Sequence, residues 1–234
     1  MAVELVVFDM AGTTVDDSVD GVPLVAVAMQ EGFKMHGLDI SLTQVNKVRG
    51  MEKKEAIKNV LTNLGQTESE VDDIFVDFKK SLNSHLQFIN KEIPETSNVF
   101  KELRSNGVKV SVGSGFPHSV VETIVENLHW SGLVDYVSSA EKVGHGRPNP
   151  AMIHAAMKHC GVEDVHSVVK VGDTKADIQE GKNAGCWTVA VLTGTQTRHD
   201  LENVKPDFII DSIANLFDVL AQINSKSDEG CSKI

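Results

Sequence analysis

Five short runs rich in β-branched residues, ELVVF (4–8), VKVSV (108–112), VDYVS (134–138), SVVKV (167–171) and WTVAV (187–191), are each followed by a stretch of helical pattern. Strands that alternate with helices pair in parallel, because a parallel return needs a crossover long enough to hold a helix. The spacing predicts an α/β fold, a doubly wound parallel sheet with helices on both faces. A weaker run, DFII (207–210), is a candidate edge strand. The gap between the first two runs is far longer than one crossover requires. It carries helical periodicity and little strand character, as in VPLVAVAMQEGFKMHG, EKKEAIKNVLTNLG and VDDIFVDFKKSLNSHL, with Gly37 and Gly65 placed as helix terminators. The expected organisation is a sheet domain formed by residues 1–15 and 96–234, with residues 16–95 inserted as a helical cap.

In such a sheet, ligands bind beyond the carboxyl ends of the strands, where the winding reverses. The first strand ends in Asp9, followed by Met10-Ala11-Gly12-Thr13-Thr14, a small turn whose backbone amides are expected to face an anion. Ser114 follows the second strand between Gly113 and Gly115. GHGRPNPAM follows the third, with Arg147 just ahead of a helix beginning near Pro150. VGDTKAD follows the fourth, with Asp173 and Asp177 four residues apart at a helix start. Each has a plainer reading: a turn-forming acid, a simple glycine turn, a surface cation and acids facing a helix dipole. An acid, a hydroxyl, a guanidinium and a diacid at four successive strand ends nevertheless match what a metal-assisted phosphoryl site needs. Hard oxygen donors of this kind suit Mg2+ shared with a substrate phosphate.

These residues resemble the haloacid dehalogenase (HAD) superfamily, and within it the phosphonoacetaldehyde hydrolases. The likeness is carried by FDMAGTTVD (8–16), GSG (113–115), GRPNP (146–150) and KVGDTKADIQEGKNAGCWTV (170–189). It implies a Rossmann-like HAD core, with Asp9 as the nucleophile that forms an aspartyl-phosphate. It also implies Mg2+ held by Asp9, the Ala11 carbonyl and Asp173 with support from Asp177. Ser114 and Arg147 would bind the phosphoryl oxygens. Gly12, Thr13, Gly115 and Arg49 are further candidates for contact with substrate or phosphate.

Most phosphatases of the superfamily carry a second aspartate two residues after the nucleophile, where this chain has Ala11. Losing that general acid raises the barrier by roughly 3 to 5 kcal/mol, which disfavours simple alkyl phosphates. Phosphonoacetaldehyde hydrolases carry alanine there and use a cap lysine that condenses with the substrate aldehyde, so that the carbon–phosphorus bond breaks toward an iminium. VRGMEKKEAIKNVLTNLG offers Lys53 and Lys54. On a helix, Lys53 projects near the middle of the stripe formed by Ala56, Ile57, Val60, Leu61 and Leu64, while Lys54 lies at its edge. Lys53 is therefore the expected Schiff-base residue. A free lysine is only about 0.04% neutral at pH 7. The pKa of such a lysine must be lowered by desolvation or by nearby cations; Lys47, Arg49, Lys53, Lys54 and Lys58, against only Glu52 and Glu55, form a basic island, and the helix N-terminus is expected to lower it further. Alternatively the lysine stem lies on apolar surface with its ammonium in water. Two positions depart from the family pattern: Arg49 in place of a methionine, and Ala56 in place of a histidine that helps proton transfer.

A formal net charge of −11 at pH 7 gives no basic face for nucleic acid, and no apolar run is long enough to cross a membrane. MAVELVVFDM lacks the pattern of a secretory signal, and three distant cysteines (Cys160, Cys186, Cys231) read as reduced thiols, so a cytoplasmic location is expected. SKSDEGCSKI reads as a loose tail, ending one residue away from a peroxisomal Ser-Lys-Leu address. His154 and His159 read as helix-surface residues, and Trp187 as a core strand residue. The expected partner is a small-molecule phosphonate or phosphate, with a possible homodimer through the cap. Two alternatives stay open: a phosphatase for activated esters or acyl phosphates that needs no lysine imine, and a non-catalytic phosphate-ligand binding module.

Overall fold

A computed structural model describes residues 2–19 and 21–231. Six parallel strands form the central sheet: β1 (Leu5–Asp9), β2 (Lys109–Ser114), β3 (Tyr136–Ser139), β4 (Val168–Gly172), β5 (Trp187–Val191) and β6 (Phe208–Ile210). Their order is β6-β5-β4-β1-β2-β3, so the chain winds outward from β1 to one edge and then returns to build the other. All six anticipated strands are present, and every crossover is long enough to carry helix. The register aligns Asp9 with Gly113 and Phe8 with Val171. The carboxyl ends of β1, β2 and β4 thereby become neighbours at the point where the winding reverses.

Strands β1 and β4 are buried on both faces, as a central parallel strand must be. Phe8 packs on Phe100 and Phe100 on Trp130, each at 5.1 Å between ring centroids. Trp187 is only half-buried: it sits at the first residue of β5, tilts against Phe208 and donates from Nε1 to the His166 carbonyl (3.2 Å). From the first position of the strand its ring packs against the edge of the core. His154 and His159 lie exposed on their helix, with His159 stacked on Tyr136.

Between β1 and β2 the chain forms α1 (Leu24–Met35), α2 (Leu42–Lys47), α3 (Lys53–Asn63) and α4 (Val71–His85). Their shared core holds Phe33, Ile57, Leu61, Ile74, Phe78 and Leu82. Gly37 and Gly65 adopt positive φ just past α1 and α3, the conformation that closes a helix end without a Cβ penalty. Two short antiparallel ribbons are not evident in the sequence: Val15–Asp16 pairs with Lys91–Glu92 where the chain enters and leaves the helical unit, and Ser18–Val19 pairs with Val22–Pro23 just ahead of α1. Two-residue strands are too short to show alternation.

The remaining helices are α5 (Thr96–Ser105), α6 (His118–Asn127), α7 (Ala140–Val143), α8 (Ala151–Cys160), α9 (Lys175–Ala184), α10 (Arg198–Glu202) and α11 (Leu216–Cys231). Helix α11 runs through most of the stretch expected to be a loose tail; its apolar face, with Leu216, Val219, Leu220 and Ile223 buried, docks its start and the helix continues from there. The terminal Ser-Lys-Ile lies outside the described residues. Among the described residues no helix is long and apolar enough to cross a membrane.

Candidate active site at the seam between cap and sheet

Asp9 is 4% exposed at the end of β1, and Arg147 reaches it from the loop after β3, with Nη1 2.8 Å from Asp9 Oδ1. Each of the other two nitrogens of the guanidinium is also held by the protein. Its Nε–H donates to Glu180 Oε2 (2.9 Å) with Asp177 Oδ1 3.0 Å away, and Nη2 donates to the Gly113 carbonyl (2.9 Å). Beneath it, Lys170 on β4 places Nζ 3.0 Å from Asp177 Oδ1 and 3.2 Å from Glu180 Oε2. Buried charges persist only when paired in this way. Burial alone would push the Arg147 pKa down, but Asp177, Asp9 and Glu180 hold it well above the usual range, so the guanidinium stays charged. Burial likewise works upward on Asp177, yet the Arg147 and Lys170 charges prevail and keep its pKa low.

Asp173 directly follows β4, fully buried, with Oδ1 accepting from the Thr13 hydroxyl (2.9 Å) and Oδ2 without a hydrogen-bond partner. Burial, and next the nearby Asp9 charge, push its pKa up to about 8. Burial raises the pKa of Asp9 as well, against the pull of Arg147. Asp177 adds its charge from the first turn of α9, where its backbone and side chain form a reciprocal cap with Thr174. One carboxylate oxygen from each of Asp9, Asp173 and Asp177 lies within 4.8 Å of the others. Like charges this close need a proton or a cation, and an orphaned, buried carboxylate oxygen among oxygen-only donors fits a hard divalent ion.

The turn after Asp9 differs from expectation. The amides of Gly12 and Thr13 do not face outward: Gly12 donates to the Val15 carbonyl (2.9 Å) and Thr13 to the Met10 carbonyl (3.1 Å). Closing a turn this tight consumes the very donors that a phosphate cradle would offer. Gly12 serves instead by lacking a side chain, since its φ is +89° and an added Cβ would lie 2.8 Å from Asp173 Oδ2. Gly194, after β5, has no room for one against the same carboxylate. Ala11 is 9% exposed and lines the cavity beside Asp9.

The cap closes this site. Lys53, the first residue of α3, is 6% exposed, with Nζ donating to the Met51 carbonyl (3.2 Å) and lying 5.4 Å from the centre of the Phe116 ring. Lys54 points the other way, half-exposed and paired with Asp72 (2.7 Å). Desolvation, rather than the surrounding cluster of bases, is the main cause that lowers the Lys53 pKa to about 8, with Arg147 and Arg49 adding to it against Asp9. Lys58 contributes little, because it is exposed and paired with Glu68. Arg49 is tied through Nη2 to buried Asp17 (3.2 Å). Ser114 is 4% exposed, its Oγ accepting from the Phe116 amide (3.2 Å), which leaves its O–H free to donate.

Glycines make the seam possible. An added Cβ on Gly115 would lie 2.5 Å from the Met51 carbonyl oxygen, one on Gly50 2.5 Å from Thr174 Oγ1, and one on Gly146 would overlap the Glu52 side chain. The cavity at this seam is about 20 Å³, lined by Asp9, Ala11, Arg49, Lys53, Ser114 and Arg147 among others. Every anticipated site residue but Gly12, Thr13, Asp173 and Asp177 thus borders one small space; the two carboxylates gather with Asp9 beside it, and Thr13 bonds Asp173.

Lys170, Glu180, Asp17, Thr174 and Gly194 carry this arrangement without having been singled out. A lysine inside the apolar run SVVKV signals a buried, paired cation, and Glu180 falls three residues after Asp177 on one helix face. Nothing in the sequence marks Asp17 or Gly194.

A haloacid dehalogenase-like hydrolase model matches residues 3–185. A bifunctional phosphonoacetaldehyde hydrolase/aminoethylphosphonate transaminase from Clostridioides difficile (strain 630) is 29% identical, over 96% of this chain and 41% of its own, so the chain spans only about two fifths of that relative. A phosphonoacetaldehyde hydrolase from Bacillus mycoides (strain KBAB4) is 31% identical over 88% of this chain and 83% of its own. The crystal structure of a phosphonoacetaldehyde hydrolase-like protein from Oleispira antarctica superposes with a TM-score of 0.86 at 25% identity, covering 97% of this chain and 94% of that one. The match over most of the length, on a fold whose strand ends gather these carboxylates, makes the chain a hydrolase that belongs to the haloacid dehalogenase-like family.

Proposed function

We propose that the protein cleaves the carbon–phosphorus bond of phosphonoacetaldehyde, or of a close relative with a carbonyl beside the leaving carbon, using magnesium, Asp9 and a Schiff base on Lys53. One observation carries this reading: the buried Lys53 amine borders the same small cavity as Asp9, Ser114 and Arg147. A pKa near 8 keeps a useful fraction of that amine neutral, as attack on a carbonyl requires.

Asp9, Asp173 and the Ala11 carbonyl would hold magnesium, with Asp177 in support; the ion would offset the charge of the phosphoryl oxygens. Arg147 grips Asp9 Oδ1, which fixes the carboxylate for attack by its other oxygen. Neutral Lys53 adds to the aldehyde and loses water to give an iminium. Asp9 then attacks phosphorus while the carbon–phosphorus electron pair moves into the iminium, leaving an enamine on Lys53. Ser114 and Arg147 donate to the phosphoryl oxygens as their charge grows. Protonation at carbon and hydrolysis release acetaldehyde and free Lys53, and water cleaves the aspartyl-phosphate. No leaving oxygen needs a proton, which suits alanine at position 11. A cavity of about 20 Å³ holds no more than a water, so the cap must open to admit substrate and then reclose to exclude solvent.

One observation favours a second reading. Ala56, 1% exposed, puts no proton-transfer group on the turn after Lys53. A phosphatase for acyl phosphates or activated esters would need none. Assaying acetaldehyde and phosphate release from phosphonoacetaldehyde with magnesium separates the two. The proposal expects both products, and their loss in Lys53→Arg. Phosphate release from acetyl phosphate that ignores Lys53→Arg, with no turnover of phosphonoacetaldehyde, would establish the alternative instead.

A further inference from the structure

Arg49 borders the cavity that holds Lys53, and its side chain is 7% exposed. Its Nη2 is spoken for by Asp17 Oδ1 at 3.2 Å, whereas Nη1 is buried with no hydrogen-bond partner. The ion pair is itself anchored, because the Asp17 carbonyl accepts from the Leu24 amide (2.7 Å) at the start of α1. A buried guanidinium edge left open beside a reactive amine is costly unless a water or a substrate atom fills it. The same cavity is lined by Ser114 and Arg147, the donors assigned above to the phosphoryl oxygens. The Arg49 charge is also felt directly at Lys53, where it disfavours the ammonium.

We propose that Arg49 is a catalytic residue for imine formation, donating from Nη1 to the carbonyl oxygen that Lys53 attacks. This rests on the Schiff-base reading above. As the Lys53 nitrogen bonds to the carbonyl carbon, the π pair moves onto oxygen, and Arg49 stabilises that developing oxyanion without giving up a proton. The oxygen takes one proton from the attacking nitrogen to form the carbinolamine. It then leaves as water with a second proton from solvent, as the nitrogen lone pair forms the iminium. The Asp17 carboxylate keeps the guanidinium in place and balances its charge.

The test is rapid-quench borohydride trapping with phosphonoacetaldehyde and magnesium, reading the rate at which mass is added to Lys53, alongside inhibition by inorganic phosphate. Two variants are compared. Arg49→Lys keeps the charge and a partner for Asp17 but has no second edge to offer; the double variant Arg49→Met with Asp17→Asn removes both charges and leaves neither buried alone. Both should slow trapping by about 10²-fold, the usual loss for one oxyanion donor, with phosphate inhibition unchanged. Trapping at the wild-type rate would overturn the proposal. So would phosphate inhibition weakened as much as trapping, which would make Arg49 a phosphoryl ligand. Wild-type protein that gives no adduct on Lys53 would instead remove the Schiff-base reading beneath it.

Discussion

Arg147 Nη1 stands 2.8 Å from Asp9 Oδ1, and every other nitrogen of that guanidinium is held from behind. One edge faces the Asp9 carboxylate while Glu180, Asp177 and the Gly113 carbonyl fix the plane. A planar fork can do this and a lysine ammonium cannot. Arg147→Lys should therefore fold, yet lose about 10²-fold or more in kcat, measured by phosphate release. Arg147→Met should also lose roughly 3–5 kcal/mol of stability in urea unfolding, because it strands buried carboxylates.

In the proposed reaction Lys53 sets the pH response. With its pKa lowered to about 8 by burial, kcat/KM should rise as pH passes through about 8, when the amine sheds its proton. Stability should move the same way. Between about 8 and 10.5 the unfolded chain holds a proton that the folded chain has lost, so stability rises with pH across that window. Below it both states are protonated and the full penalty, roughly 3 kcal/mol, is felt; above it the penalty is gone. Thermal unfolding of wild type against Lys53→Met, from pH 7 to 10.5, checks this: the variant's advantage should shrink as pH rises.

In the proposed reaction Ala11 suits a leaving group that needs no proton. Restoring an acid with Ala11→Asp places a proton donor at the edge of the cavity. Hydrolysis of a simple alkyl phosphate should rise by about 10²-fold, followed by phosphate release.

Gly146 and Gly115 define closure. Gly146→Ala would drive a Cβ into the Glu52 side chain, holding the cap off the sheet domain. KM should rise and kcat fall by about tenfold or more, with little change in the unfolding of the sheet domain. A fall in overall stability with normal kinetics would mean that the contact serves only packing.

Much of this was legible in the chain because topology does the positioning. Once the strands are recognised, Asp9, Ser114, Arg147, Asp173 and Asp177 follow as the polar residues at their carboxyl ends. Helical phase separates Lys53 from Lys54 for the same reason. What escaped depends on contacts between distant segments. Gly12 and Thr13 offered plausible anion donors until the Val15 and Met10 carbonyls were seen to claim their amides. The sequence offers both desolvation and a basic cluster to lower the Lys53 pKa; Lys54 and Lys58 find their own acids, and burial does most of the work. The pairing of Arg49 with Asp17, and the glycines that let Met51 and Glu52 close on the sheet domain, become visible only once the cap is folded over β2 and β4.

The central claim is that Lys53 and Asp9 act on one substrate in one cavity. Its most direct test is to reduce the protein with borohydride during turnover of phosphonoacetaldehyde and map the modification by peptide mass spectrometry. The account predicts an N-ethyl group on Lys53 alone, absent in Lys53→Arg. In Asp9→Asn, which cannot accept the phosphoryl group, the adduct should still carry its phosphonate. An unmodified Lys53 in protein that still releases acetaldehyde and phosphate would contradict it.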